Sequence, residues 1–291
     1  MLAVDIVLAG LVLGGMYALT ALGLTLQYGV ARIMNLSYGE FLVAAALVAY
    51  SLYTGLTMSP LIGLIVVVPA AFVLNWAIYH VLLMPLVRRA RTRDVLEVDS
   101  ILATFGLLFI VQGIALVIFG GQYYSYTFLS IPVSVLGSTI AVNRLVALLF
   151  AAAIGLAIYL ALTRTRSGTA LRAVAVDPVA AGLVAIDVKR ASGFAFALGG
   201  ALVAAGGVLV SMFLTFNTAM GVVFTMKALI VVIMGGVGNM LGALVAGLLL
   251  GIGETAVARL LDPGLTLAAT YALFLAVLLI RPTGLFGRSA R

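Results

Sequence analysis

The chain has 291 residues, of which 65% are hydrophobic and only 9% charged, with 16 Lys+Arg against 9 Asp+Glu for a formal net charge of +7. Soluble domains are roughly a quarter charged, so a 30.2 kDa body with a mean hydropathy of +1.30 is read as an integral membrane protein with the lipid bilayer as its main solvent. With Cys 0 and one histidine, His80, disulfides, thiolate or multi-histidine metal sites and most nucleophilic catalysis are excluded, so no catalytic, cofactor-binding or metal-ligating set is expected.

A crossing takes about 20 apolar residues, and in lipid every backbone polar group must be satisfied within a helix or closed barrel. Residues 6–31 hold one span; 41–87, with no Asp, Glu, Lys or Arg and only His80 as a basic side chain, hold two, turning at 54–60. Residues 100–143 hold one span followed by an outer loop at 120–143, and apolar stretches at 145–163, 191–214, 228–253 and 265–280 follow. The stretch 228–253 is interrupted at Gly235-Gly236-Val237-Gly238-Asn239 and is predicted to break in two, while Pro69 is expected to kink its span. The expectation is an all-α polytopic bundle of eight or nine spans forming one transmembrane domain over residues 1–291, with short or broken helices and a cytoplasmic coupling helix. The first apolar stretch lacks a basic leader and a polar cleavage segment, so it is read as a span rather than a cleaved signal.

Basic residues cluster at Arg88, Arg89, Arg91 and Arg93, at Arg164, Arg166, Arg172, Lys189 and Arg190, and at Arg281, Arg288 and Arg291. With Arg32 these place most of the positive charge on one side, which the positive-inside rule makes cytoplasmic, explaining the net charge without nucleic acid. Counting spans back puts the N-terminus outside, with Arg144, Lys227 and Arg259 at or near the outer side. The outer loop carries Tyr123, Tyr124, Tyr126 and Phe128, which suits an interfacial aromatic belt or the docking of an external protein.

The cytoplasmic loop 164–190 is longer than a connector needs. It reads as an amphipathic helix with Leu171, Val174, Ala175, Pro178 and Ala181 on one side and Arg172 and Asp177 exposed. Asp177 followed by Pro178 is an N-cap with proline at the first helical position, starting a helix over 179–186. A solvated loop and a docking helix for a cytoplasmic partner both fit this pattern.

Within the spans, Gly10 and Gly14, and Gly247 and Gly251, recur at the spacing that lets helices approach closely. The segment 32–40 is unlike its apolar surroundings: Asn35, Ser37, Tyr38 and Glu40 follow Arg32, and a helix break there would leave free N–H groups for Asn35 or Ser37 to cap. Glu40 is expected to stabilise that break by pairing with Arg32 or accepting backbone N–H bonds. Together with Gly236, Gly238 and Asn239 in the second break, these residues are the candidates for a translocation pathway, since two interrupted spans in the two halves of a chain point to one. Lys227 and Glu254 are read as a structural ion pair, because a charge inside a span is expensive without a partner.

Taken in order, Gly14-Gly15-Met16-Tyr17-Ala18-Leu19, Gly23-Leu24-Thr25-Leu26, Met34-Asn35-Leu36-Ser37-Tyr38-Gly39-Glu40-Phe41, Arg166-Ser167-Gly168-Thr169-Ala170-Leu171-Arg172, Asp177-Pro178 and Lys227-Ala228 leading to Gly235–Asn239 resemble the LivH-type membrane permeases of branched-chain amino acid ABC importers, essentially end to end. The chain departs from that pattern at Tyr38, where the family typically has His, and at Ala185, where it has Gly. The resemblance implies that 164–190 couples to an ATPase, with Arg172, Asp177, Val179, Leu183 and Ile186 the residues concerned. It also implies a second permease (a LivM-like paralogue or a second copy), two cytoplasmic ATPase subunits, a periplasmic binding protein and a bacterial plasma (inner) membrane location. No Gly-x-x-x-x-Gly-Lys-Ser/Thr occurs, so this chain is not expected to be the enzyme that hydrolyses ATP. Hydrophobic amino acids are the implied cargo, with urea, amides and short carboxylates as alternatives. A self-sufficient secondary transporter or channel would need its own coupling-ion site, for which Glu40 and Glu254 are few acids; a purely structural membrane subunit is the third class.

Overall fold

The computed structural model describes residues 2–90, 92–135 and 137–287. Arg91, Arg288 and Arg291 of the basic clusters lie outside the described residues. The apolar stretches form helices α1 (Leu2–Ala31), α2 (Tyr38–Leu56), α3 (Pro60–Ile78), α5 (Arg93–Phe119), α6 (Val142–Arg164), α9 (Val188–Ser211), α11 (Met240–Leu260) and α12 (Thr266–Ile280). Among the described residues, eight helical segments are long and apolar enough to cross a membrane, and a further apolar helix, α10 (Gly221–Gly235), is shorter and starts against the first turn of α2. Short helices α4 (Met84–Arg89), α7 (Arg166–Val176) and α8 (Pro178–Leu183) complete the set.

Helix α3 runs through Pro69 without interruption. The change of helical register comes instead at a π turn, Tyr79–Leu83, just before Pro85, whose missing N–H suits a point where the bonding pattern shifts. The outer loop is not wholly irregular: β1 (Pro132–Val135) and β2 (Ser138–Ala141) pair antiparallel, with Val133 opposite Ile140. The β-branched residues alternate there at the period of a strand, a signal too short to stand out beside the spans.

Helix α9 is the axis of the bundle: 89% of its span is buried, against 6% for α12 at the periphery. Its glycines and alanines leave room for α1, α2 and α3 around it. Helices α1 and α11 cross equally closely. A Cβ added at Gly10 would lie 2.7 Å from Ile252 Cα, one at Gly14 2.7 Å from Leu248 Cα, and one at Gly247 2.6 Å from the Ala18 backbone nitrogen. Dispersion between backbones holds this pair where no hydrophobic drive operates in lipid. Outward-facing Ile65, Val117 and Leu279 are exposed on a surface that only lipid or another apolar helix solvates.

Contacts sort the connections onto two ends. At one, Arg32 Nη2 donates to Ala175 O at 3.2 Å and Asn239 Nδ2 to Phe286 O at 3.1 Å, so Arg32, the basic loop 164–190 and the segment after α12 with Arg281 share that end. At the other, Ser138 bonds Asp5, Tyr53 OH donates to Thr127 O at 2.8 Å and Asn143 Nδ2 to Met212 O at 2.8 Å. The loop aromatics fold inward at this second end: Tyr126 stacks on Tyr53 at 4.7 Å between centroids and Tyr124 meets Tyr50 edge-on at 5.0 Å, leaving Tyr123 exposed. Burial pushes the Tyr126 phenol up to about 12, opposed by its hydrogen bond with Ser211.

Candidate functional site

Between α1 and α2 the chain is non-helical over 32–37, yet Ile33, Asn35 and Ser37 are fully buried. Backbone freed from a helix at that depth needs partners from neighbouring side chains. Two spans supply them. Met34 N donates to Ser100 Oγ (3.3 Å) and Leu36 N to Thr104 Oγ1 (3.1 Å), while Thr104 Oγ1 donates to Met34 O (3.0 Å), all from α5. From α10, Thr225 Oγ1 accepts from Gly39 N at 2.7 Å and approaches Leu36 O at 3.2 Å.

Asn35 closes the turn itself: its Oδ1 accepts from Ser37 N (3.1 Å) and Ser37 Oγ (2.6 Å), and its Nδ2 donates to Gln27 Oε1 (3.1 Å). Gln27 in turn donates to Phe196 O of α9 at 2.9 Å, and Tyr38 OH donates to Thr20 O at 2.6 Å. Asn35, Ser37 and Tyr38 are thus brought together as buried, mutually satisfied groups. Ser100, Thr104, Thr225 and Gln27 were not singled out from the sequence; their only signal is that they are polar residues inside apolar spans.

The structure corrects the expected partner of Glu40. Arg32 is engaged with the Ala175 carbonyl, and the Glu40 carboxyl group lies against Gly221, where a Cβ would overlap it. Its Oε1 has no hydrogen-bond partner among the described residues, so neither arm of the expectation accounts for it. Gly221, the first residue of α10, is what leaves room for the buried carboxyl group.

The second break, at 236–239, is built from backbone. Gly236 has φ +100 and ψ 120, a region open to glycine alone, and a Cβ there would also lie 2.7 Å from Gly287 N. Leu285 N donates to Met234 O (2.8 Å) and Phe286 N to Gly235 O (3.1 Å), so the segment after α12 closes over the joint. Asn239 caps α11, accepting from Gly242 N at 2.9 Å. Gly238 has open space where a Cβ would stand.

Beside this joint lies a cavity of about 640 Å³ whose walls include Thr25, Gly29, Arg172, Ala175, Gly238 and Asn239. It brings Arg172 of the amphipathic loop together with Gly238 and Asn239 of the second break. Gly236 turns to the segment after α12, and Asn35, Ser37 and Tyr38 are enclosed elsewhere.

In the loop, Thr165 caps α7 through Gly168 N (3.1 Å) and Asp177 caps α8 through Val179 N (2.9 Å) and Ala180 N (3.1 Å). Leu171, Val174 and Ala181 are buried beneath, whereas Val176, Val179, Leu183 and Val184 stand out as an apolar ridge, Leu183 at 85% exposure. The expected helix over 179–186 is shorter than anticipated: α8 ends at Leu183, Ala185 takes φ +63, and Ile186 turns in against the core. Left-handed backbone explains why a glycine would suit position 185, and alanine there carries strain of about 1–2 kcal/mol.

Toward the opposite end, Lys227 Nζ lies 2.9 Å from Glu254 Oε2. Tyr17 OH donates to the same oxygen at 2.7 Å and accepts from Lys227 at 2.7 Å, while Thr270 donates to Oε1. Four helices, α1, α10, α11 and α12, thereby meet at one satisfied carboxylate, the arrangement a buried ion pair requires.

Among the described residues, apolar helices packed around a buried axis, two buried or glycine-built joints between them and a capped amphipathic hairpin at the basic end define a multi-pass membrane transport component. Residues 6–281 match the family described as "Branched-chain amino acid transport system / permease component", and the chain belongs to that family. It is 30% identical to the high-affinity branched-chain amino acid transport system permease protein LivH of Escherichia coli (strain K12), over 96% of this chain and 94% of that protein. Against the corresponding protein BraD of Pseudomonas aeruginosa the identity is 27%, with the same coverage, and against the probable branched-chain amino acid transport permease protein LivH of Methanocaldococcus jannaschii it is 27% over 95% of this chain and 90% of that one. Among solved structures, PsaBC from Streptococcus pneumoniae in complex with Fab shares the fold, with a TM-score of 0.51 at 14% identity over 96% of this chain and 92% of that chain.

Proposed function

We propose that this chain is the membrane-spanning permease of an ATP-binding cassette importer that carries branched-chain and other hydrophobic amino acids across the bacterial plasma (inner) membrane. The observation that carries the reading is the apolar ridge of Val176, Val179, Leu183 and Val184, held out at the basic end by the Asp177 cap. Under the positive-inside rule that end is cytoplasmic, and an apolar ridge there is suited to a groove on a soluble partner. That partner is the ATPase, because the sequence has no phosphate loop of its own. Two such ATPases, a second permease (a paralogue or another copy) and an external binding protein complete the importer. Movement of the ridge is passed to the buried Leu171 and Val174 and reaches the joint at 236–239 across the cavity that Arg172 lines. The names of the relatives support the choice of cargo.

Replacing Val179 and Leu183 together with Asp tests this. In vesicles containing the complete importer, ATP-driven leucine uptake is expected to fall by at least about tenfold, the effect of removing interface anchors, while the variant still inserts in the membrane. Unchanged uptake would place the docking surface elsewhere.

A further inference from the structure

A second cavity, about 340 Å³, opens at the end opposite the basic loops between α1, α10 and α11, and its charged lining is Arg144, Lys227, Arg259 and Glu254. Three cations face one carboxylate. That carboxylate already accepts from Tyr17, Lys227 and Thr270, which take three of its about four acceptor sites. Lys227 has three N–H donors and gives two, to Tyr17 and Glu254. Arg144 and Arg259 form no ion pair among the described residues. The remaining wall is apolar, with Val12, Leu13, Phe213, Val223 and Phe224. The cavity therefore combines a surplus of positive charge with an apolar lining, and its volume is that of a pocket for one small molecule.

We propose that this vestibule is where the permease receives its cargo, with Arg144 and Arg259 taking the cargo's carboxylate group and the apolar wall its hydrocarbon side chain. The inference rests on the importer reading and adds to it a site and the group recognised there. Guanidinium groups match a carboxylate in shape and charge and bind it through paired hydrogen bonds, which a lysine matches in charge only. Lys227 and Glu254 sit beneath as the fixed floor that holds α1, α10 and α11 in place. A phosphate group on a lipid headgroup offers the same oxyanion chemistry from a different source, and the test separates the two.

The complete importer is reconstituted in vesicles of phosphatidylcholine, and separately with phosphatidylglycerol added, and leucine uptake is measured per ATP hydrolysed. Arg144→Gln and Arg259→Gln are each expected to lower that ratio about tenfold in both lipids, the loss of one charge-assisted interaction, while Arg144→Lys and Arg259→Lys keep most of it. Recovery with lysine shows that charge, not folding, was lost. Uptake that survives both glutamine variants, or a deficit confined to phosphatidylglycerol vesicles, would overturn the proposal, the latter by assigning the arginines to headgroups. Absence of ATP-driven uptake by the unaltered chain would sink the importer reading and this site with it.

Discussion

The two interruptions in the helical chain are stabilised in opposite ways. At 32–37 the freed backbone is handed to side chains from other helices, Ser100, Thr104 and Thr225, and locked by Asn35. At 236–239 the backbone satisfies itself, with Gly236 in a conformation other residues avoid and the segment after α12 laid across it. The first joint is tied to two neighbouring helices, α5 and α10, and buried. The second borders a cavity and depends on glycine, so it is the one with room to change shape. A protein that must alternate between accessible sides needs one fixed reference and one movable element, and side-chain ties versus backbone freedom distinguish them.

The comparison is broken most severely by unlocking the first joint. Thr104→Val combined with Thr225→Val keeps shape but strands Leu36 N–H and Gly39 N–H; at about 2 kcal/mol for each orphaned buried group, the pair is expected to destabilise by about 4 kcal/mol, read as a lowered thermal unfolding midpoint in detergent. Transport by any surviving protein should be less affected than stability.

The second joint is expected to respond the other way round. Gly236→Ala adds a collision with the Gly287 backbone to an unfavourable φ, about 2 kcal/mol of local strain, whereas Gly238→Ala at φ +79 meets open space and costs about 1 kcal/mol. ATP-driven uptake should be lost more completely at Gly236 than at Gly238, while the unfolding midpoint falls by less for either than for the Thr104/Thr225 pair. Equal loss of stability at both joints would erase the distinction. The smallest effect is a gain: Ala185→Gly removes left-handed strain after α8 and should stabilise the amphipathic loop by about 1 kcal/mol, visible as slower proteolysis there.

Much of this architecture was legible from residue pattern alone. Spans were visible because lipid demands long uncharged runs, and the second break because five residues contain three glycines. The four-residue spacing of Gly10, Gly14, Gly247 and Gly251 marked the helix pair that meets backbone to backbone. The hydroxyl ties were not legible, because Thr and Ser inside apolar helices ordinarily bond their own carbonyl four residues back, as Thr25 does to Ala21 O at 2.7 Å. Thr104 and Thr225 do this and also reach across, and only the fold reveals the second use. Glu40 invited a charged partner by proximity in sequence, yet the geometry assigns Arg32 to a carbonyl and gives the carboxyl group the space left by a glycine 181 positions later. The helix end at Leu183 was missed because Ala185 does not advertise a left-handed turn.

The crossing of α1 and α11 also has a meaning for biosynthesis. Tyr17 and Glu254 are 237 positions apart, so α1 leaves the ribosome long before its permanent neighbour α11 is made. During that interval its glycine-lined groove and the Tyr17 hydroxyl face lipid or insertion machinery. The closing step of assembly is then a late docking event in the membrane, and truncation before α11 would leave α1 an orphaned helix for quality-control proteolysis.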